Sequence, residues 1–226
     1  MLRIDVISAV PQLLQSPLDY SIVGRARSDK KVTVEVHDLR DYSKDKHRKV
    51  DDYPYGGGAG MVLTPQPIVD CIEHLQEQRS YDQILFTAPD GEMFTQKAAN
   101  ELSLKQNLII LCGHYKGIDE RVRELLIDKT YSIGDFVLSG GELPALVIID
   151  ALVRLLPGVL GDAESALEDS FQNGLLGPPQ YTRPANFRGK KVPNVLTSGN
   201  HKKIDEWRHE QSLERTKKLR PDMLSG

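Results

Sequence analysis

Residues 108–117 read Leu-Ile-Ile-Leu-Cys-Gly-His-Tyr-Lys-Gly, an apolar run that ends abruptly at a glycine. An unbroken apolar run of this length, closed by a turn residue, is the pattern of a strand covered on both faces, as in a parallel sheet. The same order of strand, glycine loop and helix recurs on either side. Upstream, residues 83–87 read as a strand that stops at the turn signal Ala88-Pro89-Asp90-Gly91, followed by a short helix over 96–102. Downstream, Gly117 opens a helix through Ile118, Val122, Leu125 and Leu126. A strand over 131–138, interrupted by Gly134, follows, and Ser139-Gly140-Gly141 then leads into an apolar helix over 142–156. Towards the N-terminus, 2–7 and 31–36 read as strands around one helix over 13–27, and Ile68, Cys71, Ile72 and Leu75 share one face of a helix over 67–78. Strands alternating with helices predict an α/β fold built on a parallel sheet.

With 226 residues, 39% hydrophobic and 27% charged, the chain is long enough for one generous domain and a small second one. No apolar run approaches the roughly 20 residues that span a membrane. Asp5 interrupts the stretch where a signal peptide needs its apolar core, so a cytoplasmic protein is expected. Cys71 and Cys112 are too few for a disulfide scaffold or a thiolate zinc site and read as buried free thiols. Pro157 and Gly158 stop the last long helix, and Asp162–Asp169 reads as an exposed polar connector. The expected organisation is a first domain over 1–161, a linker over 162–175 and a small, mainly helical C-terminal domain over 176–226. Leu196, Ile204, Trp207 and Leu213 are spaced to hold that last part together. Charge is segregated along the chain. Residues 50–182 carry 8 basic and 20 acidic side chains, whereas 183–226 carry 11 and 5. A basic terminal quarter suits nucleic-acid phosphates, although a solvated helix face would produce the same count.

Ligands of open α/β sheets sit among the loops at the carboxyl ends of the strands. Three glycine loops fall there, over 88–91, 112–117 and 132–144. None matches GxGxxG or GxxxxGK[ST], so neither a nicotinamide cofactor nor a nucleoside triphosphate has positive support. Glycines bring backbone N–H and C=O groups close to a flat ligand, which suits a purine; each loop taken singly reads equally as a tight turn. Asp51 and Asp52 are paired carboxylates, but nothing near them completes a Mg²⁺ ligand set. No metal ligand is assigned, and Mg²⁺ involvement stays open.

Longer strings carry a resemblance. VDDYPYGGGAGM (50–61), LCGHYKGIDERV (111–122), YSIGDFVLSGGELPAL (131–146), DSF (169–171), YTRP (181–184), VLTSGNHKKIDEWR (195–208) and RPDML (220–224) together resemble the bacterial tRNA (guanine-N1)-methyltransferases of the SPOUT superfamily. The resemblance spans nearly the whole chain. It implies transfer of a methyl group from S-adenosylmethionine to N1 of guanosine 37 of tRNA, beside the anticodon. It also implies a deep trefoil knot in the α/β domain, a homodimer with active sites at the subunit interface, and a C-terminal domain that helps hold the tRNA. The implied partners are tRNA and a second copy of the chain, with neither DNA nor a membrane among them. Carried over by position, the cofactor residues are Ala88, Pro89 and Gly91, then Gly113, His114, Tyr115 and Gly117, then Ile133, Gly134, Phe136, Leu138, Gly140, Gly141 and Pro144. The implied catalytic pair is Arg154 and Asp169. The chain departs from the family at Lys116, where many members carry a Glu near the cofactor ribose, and at Gly177 and Gln180, which replace an Asp and a His.

The chemistry fits those side-chain types. Neutral guanine carries a proton on N1 that a base must remove, and negative charge then develops toward O6. A partly shielded carboxylate at Asp169 suits the first task and the guanidinium of Arg154 the second. Read without the resemblance, Asp169 is an N-cap or linker residue before it is a base, and Arg154 an exposed helix end. The basic side chains of the last quarter, Lys190 and Lys191 among them, suit phosphate binding. Two other readings stay open: a SPOUT enzyme acting on a ribose or a ribosomal RNA base, and a non-catalytic RNA-binding protein.

Overall fold

The computed structural model describes residues 1–161 and 169–224, which belong to two units, Met1–Gly161 and Asp162–Gly226. In chain order the first unit contains β1 (Leu2–Ser8), α1 (Gln12–Asp19), α2 (Ser21–Ser28), β2 (Val32–Asp38), β3 (Asp51–Asp52), β4 (Val62–Leu63) and α3 (Pro65–Gln78). It continues with β5 (Gln83–Met93), α4 (Gln96–Ser103), β6 (Asn107–Cys112), α5 (Glu120–Leu126), β7 (Lys129–Ser132) and α6 (Glu142–Val153). Five of these strands form one parallel sheet in the order β2-β1-β6-β5-β7.

The LIILC run lies at the centre of that sheet, with Val6 of β1 and Leu85 of β5 flanking Ile110. Because side chains alternate along a strand, the run feeds two cores. Leu108, Ile110 and Cys112 join Leu14, Leu102, Ile148 and Leu152 beneath α1, α2, α4 and α6, while Ile109 and Leu111 join Ile68, Ile72, Leu75 and Val122 beneath α3 and α5. Cys71 and Cys112 are buried and free. Helix α6 packs on the sheet and on α1, α2 and α4, which is why it is apolar nearly all round. Each of its buried Ile and Leu side chains contributes about 1.5–3 kcal/mol by leaving water. Among the described residues no helix is long and apolar enough to cross a membrane.

Several boundaries differ from the expectation. The single helix over 13–27 is two helices that meet at Tyr20 (φ −121°, ψ 170°), with Ser21 at φ +57°. Pro17 sits inside α1, and the close turn is permitted by Gly24, where a Cβ would lie 2.4 Å from the carbonyl oxygen of Asp19. The strand expected to stop at Thr87 runs on to Met93. Thr87 and Glu92 both pair with Tyr131, so 88–91 bulges out of the ladder. The strand expected over 131–138 ends at Ser132, because at Gly134 (φ +154°) the chain leaves the sheet. Helix α5 starts later than expected, at Glu120, where the Asp119 carboxylate accepts a hydrogen bond from the Arg121 amide. Helix α6 ends at Val153, leaving Arg154 as its C-cap.

The second unit contains a hairpin of β8 (Asn186–Phe187) and β9 (Lys190–Lys191), and helix α7 (His201–Leu219). Of the expected linker over 162–175, residues 162–168 lie outside the described residues. Leu196, Ile204, Trp207 and Leu213 are only half-buried. The buried side chains of α7 are Ser212 and Thr216. The Thr216 hydroxyl donates to the Ser212 carbonyl (2.7 Å) and accepts from the Leu176 amide (2.9 Å), tying the helix to the preceding segment. Asn200 caps α7 by accepting from the Lys203 amide.

Candidate active site

The bulge of β5 and the carboxyl ends of β6 and β7 bring the three glycine segments together around a cavity of about 340 Å³. Every residue that the resemblance assigns to the cofactor lines this cavity except Gly91. Gly91 serves strand packing instead: a Cβ there would lie 2.6 Å from the backbone carbon of Tyr131. The loops are fastened to one another through backbone. The Gly141 amide donates to the Gly113 carbonyl (2.7 Å), and the Gly141 carbonyl accepts from Thr87 Oγ1 (3.1 Å). No side chain fits at Gly141, where a Cβ would lie 2.0 Å from Thr87 Oγ1 and 2.7 Å from the Gly113 nitrogen. One wall is therefore bare main chain, while Ile133, Phe136, Leu138 and Pro144 supply apolar surface. Main-chain donors and acceptors beside apolar side chains suit a flat nucleobase and a thioether, and the volume falls within the range of small-molecule sites.

Charge lies at the cavity's edge. Asp90, Lys116, Glu120 and Arg123 line it, with the Arg123 guanidinium on Asp90 at 2.5 Å. Lys116 donates its amide to the Met61 carbonyl (3.0 Å), and its stem lies where a Cβ on Gly60 would stand 2.9 Å away. The 56–60 glycine loop thus abuts the cavity through this one lysine. Beneath the floor, burial pushes the Cys112 thiol well above its ordinary value, and the Glu142 carboxylate adds to that rise.

Sequence reasoning missed Thr87, Asp90, Glu120 and Arg123 as lining residues. Thr87 and Asp90 were within reach, because they stand in or beside the quoted loop over 88–91. Glu120 and Arg123 lie on the first turns of α5, where nothing in the sequence separates a cavity face from a solvated one. Arg154 and Asp169 belong to different units. Arg154 is half-buried and lines a groove with Pro17, Leu18, Leu146 and Asp150. Asp169 is half-buried within the second unit, where its carbonyl accepts from the Gln172 amide (3.4 Å).

The chain matches a known family along nearly its whole length. The family model described as "tRNA (Guanine-1)-methyltransferase TrmD" matches residues 2–226. The chain belongs to that family. It is 57% identical to the tRNA (guanine-N(1)-)-methyltransferase of Azobacteroides pseudotrichonymphae over 222 residues, covering 98% of this chain and 100% of the relative. It is 57% identical to the protein of the same name from Bacteroides thetaiotaomicron over 223 residues, covering 99% of each. The Chlorobaculum tepidum protein is likewise 57% identical over 223 residues, covering 99% of this chain and 97% of that one. As a tRNA (guanine-1)-methyltransferase family member the chain is an S-adenosylmethionine-dependent enzyme acting on tRNA.

Proposed function

We propose that the glycine-walled cavity holds S-adenosylmethionine and that this chain methylates N1 of guanosine 37 with Asp169 as base and Arg154 as the group facing O6. The observation that carries the assignment is the convergence of the loops over 88–91, 112–117 and 133–144 on one cavity whose wall is main chain. The cofactor supplies an electrophilic methyl group on a sulfonium. The remaining work is positioning, exclusion of water and proton management by the protein. Gly113, Gly140 and Gly141 present backbone to the nucleoside, and Ile133, Phe136, Leu138 and Pro144 cover it. With Lys116 in place of the common Glu, Asp90 and Glu120 are the carboxylates available to accept from the ribose hydroxyls.

The reading extends to the finer architecture. A trefoil knot is supported by the way the 113–117 and 133–141 segments close on one another, through the His114–Gly140 bridge and the Gly141–Gly113 hydrogen bond. A homodimer with shared sites is supported by the exposed apolar side chains of Phe136, Val137, Leu143 and Val147, which flank the start of α6. The domain assignment is a catalytic first part over 1–161 and a tRNA-holding part over 176–226, whose surplus of basic side chains suits phosphates.

The test combines product and cofactor. Nuclease digestion and mass spectrometry of treated tRNA should show 1-methylguanosine at position 37, and calorimetry should show S-adenosylhomocysteine binding without RNA. Leu138→Trp, which crowds the cavity from a partly exposed position, should weaken that binding by roughly tenfold or more. A methylated ribose, or full affinity in Leu138→Trp, overturns the reaction or the cavity assignment respectively.

A further inference from the structure

Two acidic side chains of the first unit, Asp5 and Glu142, are completely buried. The carboxylate of Asp5 is hydrogen-bonded on both oxygens, by Arg3, His37 and Tyr81. Glu142, in the first turn of α6, is not. Its Oε1 accepts from the Ser8 hydroxyl at 2.7 Å. Its Oε2 lies 3.8 Å from Nδ1 of His114, and neither of those two buried atoms has a hydrogen-bond partner among the described residues. Two polar atoms hidden from water without a partner are costly, and at 3.8 Å these two face each other just beyond hydrogen-bond reach.

The surroundings hold them face to face. A Cβ on Gly140 would stand 2.3 Å from Glu142 Oε2 and 2.5 Å from His114 Nδ1, so only glycine leaves the space between carboxylate and ring clear. Ser8 ends β1, His114 follows β6 and Glu142 begins α6, so one carboxylate meets the ends of three elements beside the cavity. The Cys112 thiol also lies in its field. His114 itself lines the cavity, and its side chain is 18% exposed although Nδ1 is buried. Tyr115 packs edge-on against its ring at 4.6 Å.

We propose that Glu142 is a positioning residue for the cofactor site, holding the proton on Nδ1 of His114 and thereby fixing the orientation of that ring in the cavity wall. An imidazole that carries its proton on Nδ1 turns a donor toward the carboxylate oxygen facing it, as in the carboxylate–histidine pairs that orient rings elsewhere. Glu142 touches no ligand on this account and acts through His114. The inference rests on the assignment of the cavity to S-adenosylmethionine.

A double-mutant cycle tests it, with S-adenosylhomocysteine affinity measured by calorimetry in Glu142→Gln, His114→Ala and the double variant. Each single change is expected to weaken binding by about tenfold, and the double variant should bind no worse than His114→Ala, because the carboxylate has lost the residue it acts through. Effects that multiply in full overturn the inference, since a carboxylate that merely anchors α6 to Ser8 would act independently of His114. Nitrogen NMR of ¹⁵N-histidine-labelled protein gives a second readout, with the His114 signals assigned by their loss in His114→Ala. Wild type should show Nδ1 protonated, and Glu142→Gln should shift that signature. If Glu142→Gln does not fold, the wild-type spectrum decides alone: a His114 protonated only on Nε2 sinks the proposal. Leu138→Trp separates the two readings. Unchanged affinity in that variant removes the cavity assignment, whereas lost affinity there beside unaffected Glu142→Gln removes only the positioning role.

Discussion

Asp5 read in the sequence as a break in an apolar run, yet it is the best-satisfied charge in the sheet. Burial by itself would push its carboxyl up, but hydrogen bonds from His37, Arg3 and Tyr81 and the charge of Arg3 outweigh that and hold it at about 2, against an ordinary 3.8. A carboxyl lowered by folding adds stability above its unfolded value and loses it as pH falls through the folded one. Asp5→Asn is therefore expected to cost about 2 kcal/mol at neutral pH, and the gap in urea midpoints should narrow from about pH 4 to about pH 2. A gap that stays constant across that window would remove the linkage. At the proposed reaction centre, Asp169→Asn keeps size and hydrogen-bonding capacity but loses the base. Single-turnover methylation should fall by about 10²–10⁴ while tRNA affinity changes less, and the rising limb of the pH–rate profile should disappear. Wild-type turnover at saturating tRNA, with methyl transfer limiting, would exclude Asp169 as the base. Neither role was legible from composition. A buried acid and a surface acid have the same letter, and only the partners that the fold brings to Asp5 distinguish it.

The segment between β7 and α6 shows why element boundaries failed where element types succeeded. Tyr131 to Leu138 alternates well enough to suggest a strand, but Gly134 takes φ +154° and a Cβ there would lie 2.3 Å from the Phe136 ring. The chain leaves the sheet to line the cavity instead, so the residues that break the pattern are the ones facing the ligand site. Gly134→Ala should weaken S-adenosylhomocysteine binding by roughly tenfold or more while helix content is preserved, since a side chain is strained there and neither neighbouring element includes the position. Equal affinity by calorimetry would show that the segment bends without penalty. In the second unit the spacing of Ile204, Trp207 and Leu213 pointed to a small helical part with few apolar side chains. The structure buries Thr216 and Ser212 on α7, a polar anchor that hydrophobic periodicity cannot reveal. Thr216→Val leaves the Leu176 amide without its acceptor, and should destabilise this unit by about 1–3 kcal/mol. Faster amide exchange confined to α7 and its neighbours is the measurement that checks it.

At the scale of the whole molecule, the parallel sheet was legible because LIILC and its neighbours carry the two-sided burial of a central strand. The gathering of three glycine loops at one edge of the sheet was legible from strands that each end in glycine, whereas the individual lining residues came only through the resemblance. Arg154 and Asp169 lie in different units, and the proposed shared site makes a complementation experiment decisive. If a working site takes its arginine from one chain and its aspartate from the other, mixing Arg154→Ala with Asp169→Ala protein places both defects in one site of a mixed dimer and none in the other. Up to about half of wild-type activity per mixed dimer should return, and none despite verified subunit exchange would rule out the cross-subunit arrangement. The basic surplus of the last quarter predicts a separate behaviour. Replacing Lys190 and Lys191 by alanine should weaken tRNA binding and lower the salt slope by about 0.7–0.9 for each phosphate no longer neutralised, with the chemical step intact at saturating RNA.

The bare main-chain wall at Gly113, Gly140 and Gly141 has a consequence for selection under drug pressure. An inhibitor that rests on side chains can be escaped by changing them, but Gly141 has no side chain to change, and adding one drives an atom to 2.0 Å from Thr87 Oγ1. A compound whose affinity comes from packing flush against that wall would confront a surface with almost no viable alleles. Resistance would have to arise across the cavity, where side chains such as Ile133, Leu138 and Lys116 form the lining.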